Sequence, residues 1–78
     1  MQRSRYSAQV VLKLAIAGQV IALSQVGPGF VVLQETPEES TLSGYGRVDV
    51  IIDNRIASSN EHFFPHGIVS GSKYTSFF

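Results

Sequence analysis

Apolar residues alternate with other residues along much of this chain, which is the period-two signature of half-buried β-strands. Over residues 10–16, Val10, Leu12, Leu14 and Ile16 share one face, while Val11, Lys13 and Ala15 share the other. The β-branched content of this run and the early Gly18 favour a strand over a helix. Ala17-Gly18 supplies a tight turn, and residues 20–26 return as a second strand with Ile21 and Leu23 on one face and Ala22 and Ser24 on the other. Gly27-Pro28-Gly29 ends it, because proline cannot donate to a ladder and glycine tolerates positive φ. A third strand over residues 30–34 opens with Phe30-Val31-Val32-Leu33, apolar on both faces, which predicts cover on both sides or a place at an interface. Residues 36–43 form an acidic, proline-containing loop, expected to be the most mobile stretch. The fourth strand, residues 45–52, sets Val48, Val50 and Ile52 against Arg47, Asp49 and Ile51. Asp53-Asn54 is a turn pair tolerant of the left-handed region, so a fifth strand begins at Arg55. Ser58-Ser59-Asn60 breaks or bulges that strand before residues 62–64 continue it. Pro65-His66-Gly67 turns the chain, residues 68–71 are irregular, and residues 73–77 form a short sixth strand.

These elements predict an all-β domain, a small five- to six-stranded antiparallel barrel or compact sandwich built from hairpins. Residues 1–78 make one domain, with residues 1–7 read as a flexible arm. A domain this small buries only about 60% of the surface its unfolded chain exposes. No cysteine is present to crosslink it or to bind a metal as thiolate. Charged residues are 15% of the chain, below the roughly 25% of ordinary domains. Hydrophobic residues are 44%, so apolar surface is in excess. Six basic and six acidic residues cancel, which argues against a general polyanion binder.

Arg3 and Arg5 followed by an apolar run ending in Ala15-Ile16-Ala17 have the outline of a secretory signal, but Lys13 lies where the signal core is uncharged. Residues 10–26 contain Lys13, Gly18, Gln19 and Gln25 and lack the continuous apolar stretch of a membrane helix. A cytoplasmic protein with no membrane contact is the expectation.

The stretch G-Q-V-I-A-L-S-Q-V-G-P-G-F-V-V-L over residues 18–33 resembles a group of short bacterial proteins of unassigned function. They carry a glycine-turned hairpin, a Leu-x-Gln-x-Gly-Pro-x-Phe stretch, an acidic or proline-containing loop, a second hairpin, and a closing Pro-x-Gly-Ile pattern. Pro65-His66-Gly67-Ile68 is similar to that closing pattern, whereas Asp53-Asn54 stands where the group usually has Asp-Gly. The likeness spans about two-thirds of the chain and implies one β domain without assigning an activity. Ser24-Gln25-Val26-Gly27, preceded by Arg3 and Arg5, also resembles the Ser-x-x-Gly part of PilZ domains, six-stranded barrels that bind cyclic di-GMP. Ala22 occupies the position where that family has a polar Asp or Asn, and the arginines are one residue apart rather than three.

Candidate chemistry is sparse. His62 and His66, beside Glu61, have the spacing of two metal ligands on a helix, but Pro65 opposes a helix. On a strand the two imidazoles stand about 13 Å apart, too far for one ion. No serine lies on a nucleophile turn, and Asp49, Asp53, Glu38 and Glu39 read as solvated carboxylates. No catalytic residue, metal site or cofactor is therefore assigned. Arg47, Arg55, Lys73 and Tyr74 are candidate nucleic-acid contacts on a stacking face, opposed by the zero net charge. Self-association has more behind it. Val11, Phe30, Val31, Val32, Leu33, Ile51, Phe63, Phe64 and Phe77 exceed what one small sheet shelters, and are the candidate interface of a homodimer or of a contact with an unidentified protein.

Overall fold

The computed structural model describes residues 8–78. Residues 1–7, where the arm was expected, lie outside the described residues. Six strands form one antiparallel sheet: β1 (Val10–Ile16), β2 (Gln19–Gly27), β3 (Phe30–Leu33), β4 (Gly44–Ile52), β5 (Arg55–Phe64) and β6 (Tyr74–Ser76). Their spatial order is β5-β4-β1-β2-β3-β6.

Each tight turn has the backbone its residues allow. Ala17 and Gly18 have φ of 52° and 75°, and Asp53 and Asn54 have φ of 52° and 67°. Two successive positive φ values give the type I′ twist that suits a two-residue hairpin. Pro28 and Gly29 join β2 to β3, with Gly29 at φ 80°, as the third residue of a type II turn requires.

β1 pairs with β4 along its whole length, from Val10 opposite Ile52 to Ile16 opposite Gly46. Its ladder with β2 is shorter and starts only at Leu12 opposite Leu23. β2 then shifts register between Leu23 and Gln25 and continues with β3, Gln25 facing Val32 and Gly27 facing Phe30. A bulge bends a strand, and here the bend marks where β2 leaves β1. A second register shift, between Val50 and Ile51, lets Ala57 bulge from β5, which otherwise runs unbroken through Ser58-Ser59-Asn60.

The core lies between the two halves of the sheet. Leu14, Ile16, Val48 and Phe64 come from β1, β4 and β5; Leu23, Val31 and Leu33 come from β2 and β3; Ile68 enters from the loop before β6. The ladder is not closed. Its edge strands meet at one place, where Phe78 N–H donates to the Phe63 carbonyl at 2.9 Å and Phe63 N–H donates back to a Phe78 oxygen at 3.4 Å. The architecture is thus a folded-over sheet, nearer a compact sandwich than a barrel.

The loop expected to be mobile is tied down. Thr41 N–H donates to the Ile68 carbonyl (2.9 Å), and Ile68 N–H donates to Thr41 Oγ1 (2.9 Å). Ser70 N–H donates to Ser40 Oγ (2.8 Å), and Gly71 N–H to the Pro37 carbonyl (2.9 Å). The backbone approaches so closely here that a Cβ on Gly67 would strike the Thr41 and Leu42 carbonyls.

Candidate functional site

Three of the residues expected at an interface belong to the core instead. Val31 and Phe64 are fully buried and Leu33 nearly so. For Val31 and Leu33 the reason is register: they sit opposite Val26 and Leu23 on the inward face of the bent β2–β3 hairpin. Phe64 is the last residue of β5 and packs its ring against Phe77, centroids 5.4 Å apart. The alternate positions Phe30 and Val32 are half-buried on the outward face, where Phe30 stacks on Tyr74 at 5.3 Å. Gly27 makes that stack possible, since a Cβ there would collide with the Phe30 ring. Phe63 meets the exposed Tyr45 edge-on at 5.2 Å, and Phe77 is half-buried beneath His62 at 4.1 Å.

Val11 and Ile51 lie together as register partners, with Ile56 opposite Ile51. They form one row on the outer face of a projecting end of the sheet. The inner face of the same end carries Val10 opposite Ile52 and Leu12 opposite Val50. β2 turns away after Leu23, so its ladder with β1 does not reach Val10 and Val11. Exposure rises steadily outward: Leu14 is buried, Leu12 half-buried, and Val10 54% exposed. Ile56 is 66% exposed. Reasoning from alternation alone counts Val10 and Ile52 as core. The missed signal is length, because a nine-residue β4 and a ten-residue β5 outrun a four-residue β3.

The basic candidates are not brought together. Arg47 lies on the outer face of β4 and donates from Nε to the Asp49 carboxylate at 3.0 and 3.2 Å. Arg55 opens β5, at the opposite end of that strand from Phe63. Lys73 and Tyr74 belong to the far edge strand of the sheet or its approach. Ser59 Oγ also donates to Asp49 Oδ1, at 2.6 Å. That hydrogen bond, then the one from Arg47, holds the Asp49 carboxyl below the usual carboxylate range; burial opposes them, and the charges of Arg47 and Lys13 add to the lowering.

His62 stacks on Phe77, and His66 is exposed on the turn after Pro65. Among the described residues no group of three or more His, Asp or Glu side chains is placed to hold a metal ion. The clefts flank the pinned loop. One of about 350 Å³ is lined by the apolar Ile21, Leu33 and Ile68 and by Glu35, Glu38 and Glu39, among others. Ser24, Gln25 and Gly27, quoted for the PilZ likeness, lie on the second half of β2, and Arg3 and Arg5 are outside the described residues. No described helix is long and apolar enough to cross a membrane.

Set against family models, curated proteins and solved structures, the chain matches none of them.

Proposed function

We propose that this chain is a non-enzymatic, cytoplasmic interaction module that associates with its own copies, as a dimer in the first instance. The observation that carries the reading is the run of apolar side chains left outside the core, among them Val10, Val20, Ile52, Ile56, Tyr74 and Phe78. Scattered singly, exposed apolar residues are ordinary. Here Val11, Ile51 and Ile56 on the outer face, and Val10 and Ile52 on the inner face, are neighbours by register, in a domain that has no cysteine and, among the described residues, no group of three metal-ligating side chains. Zero net charge adds no repulsion between copies.

The other reading, a nucleic-acid-binding domain, has the Phe30–Tyr74 stack beside Lys73 in its favour. Against it stand the dispersal of Arg47, Arg55 and Lys73 and the engagement of Arg47 by Asp49.

Sedimentation equilibrium of the full chain from about 10 μM to about 1 mM decides the matter, a range that covers weak association. A concentration-dependent shift from monomer to dimer mass is expected. A folded monomer throughout would discard the proposal.

A further inference from the structure

We infer that the free edge of β2 at residues 19–22 takes up an extended basic segment of another protein, which pairs with the strand and carries alternate Lys or Arg side chains to Glu35, Glu38 and Glu39. The inference stands apart from the self-association proposed above.

β2 is paired unevenly. On one side it pairs with β1 from Gln19 to Leu23. On the other, β3 meets it only from Leu23 to Gly27, and no described strand lies beside residues 19–22. The turn fixes the direction of the peptide groups. In a two-residue hairpin the closing pair, Ile16 and Gln19, bond to each other, as do Leu14 and Ile21 two positions on. Val20 and Ala22 therefore turn their N–H and C=O groups away from β1. The Ala22 carbonyl accepts from Gln34 N–H at 3.0 Å, as that direction requires. Beyond this bond the chain leaves β2, and the Val20 N–H and C=O and the Ala22 N–H face the gap. Such groups are what an added strand pairs with. The gap lies at the turn end of β1, about 20 Å along that strand from Val10.

The gap opens onto both faces of the sheet. One depression, about 350 Å³, is lined by Ile21, Leu33 and Ile68 and by the three glutamates, among others. The other, about 300 Å³, is lined by Val20, Ala22 and Gln34. Ile21 and Glu35 line both, so the two lie along one edge. Side chains of a strand alternate between faces, so a segment laid along β2 sends every second side chain into each depression.

Charge identifies the occupant. Glu35, Glu38 and Glu39 are exposed, and none is ion-paired among the described residues. Lys73 is held nearby, its carbonyl accepting from Leu33 N–H at 2.7 Å, yet it forms no such pair. Carboxylates beside apolar side chains suit a lysine or arginine, whose alkyl stem packs on Ile21, Leu33 and Ile68 while its charged head reaches the glutamates. An acidic segment meets repulsion there, and an apolar one leaves the carboxylates unpaired. The loop is also preorganised. Ser70 Oγ donates to the Glu38 carbonyl at 2.9 Å and Gly71 N–H to the Pro37 carbonyl at 2.9 Å, so binding has little left to order.

The test uses the full chain labelled with nitrogen-15 and two capped seven-residue peptides, in which lysine or glutamate alternates with valine. Titration with the lysine peptide to about 1 mM should shift the amide signals of residues 19–22 and 33–39, and the glutamate peptide should shift none of them. The double variant Glu38→Gln with Glu39→Gln should bind the lysine peptide at least tenfold more weakly. Glu61→Gln, which removes an exposed carboxylate on β5, should bind it unchanged. Circular dichroism confirms that each variant is folded. Exchange of the Val20 and Ala22 amides should slow when the lysine peptide is added, which reads the strand pairing without mutation. No shift at about 1 mM, shifts confined to β5 or β6, equal binding by the double variant, or unchanged exchange at Val20 and Ala22 would each overturn the inference. None of these outcomes touches the self-association reading, which sedimentation decides by itself.

Discussion

Asp49 is 7% exposed on the outward face of β4. A carboxylate so placed must be hydrogen-bonded, and Ser59 and Arg47 provide three contacts between them. Its ladder partner is Ser59, so the shortest contact follows from register. Arg47 is two residues away on the same strand, and its side chain is largely solvated, so its ion pair contributes at most about 1 kcal/mol. The carboxyl titrates below its unfolded value. Its contribution to stability is therefore complete above about pH 4 and is lost as pH falls through the folded value. Denaturant melts from pH 5 down to pH 2 should show a flatter acid limb for Asp49→Asn than for the unmodified chain. Ser59→Ala should flatten it in the same direction.

At the scale of elements, hairpins follow from local chemistry. Strand identities, turn positions and the division of faces on β1 and β4 were all readable from alternation and turn residues, because both are set within a few positions along the chain. Ala17 is the least suitable turn residue, since φ of 52° brings its Cβ against the following carbonyl at a cost of about 1 kcal/mol. Ala17→Asn, followed by Gly18, should stabilise the domain by about 0.5–1 kcal/mol, read as a higher urea midpoint with unchanged slope. The hydrogen bonds that hold the loop over residues 36–43 were not legible in the sequence, for a physical reason. Its partners are at residues 67–71, some 30 positions away, and a composition of Pro, Glu and Ser carries no trace of them.

For the whole molecule, stability rests on a small core. A chain of this length is worth about 4–12 kcal/mol in total. Phe64 is fully buried against Phe77, and Phe64→Ala should cost about 3–5 kcal/mol. That corresponds to a fall in Tm of more than about 12 °C in a thermal melt. Association adds a second source of stability by mass action. The Tm of the unmodified chain should rise with protein concentration.

Alternation, β-branching and turn chemistry in the sequence determined that this protein is all-β, roughly where its six strands lie and which residues face which way on β1 and β4, since each of those properties is local. Tertiary structure alone decided which faces are covered. Val31, Leu33 and Phe64 are enclosed because β2 bends at Leu23 and folds β3 over the sheet, while Val10 and Ile52, apolar in the same pattern, are left open because β1, β4 and β5 extend past that bend. Cover depends on where strands end relative to one another in space, a quantity that no single strand encodes.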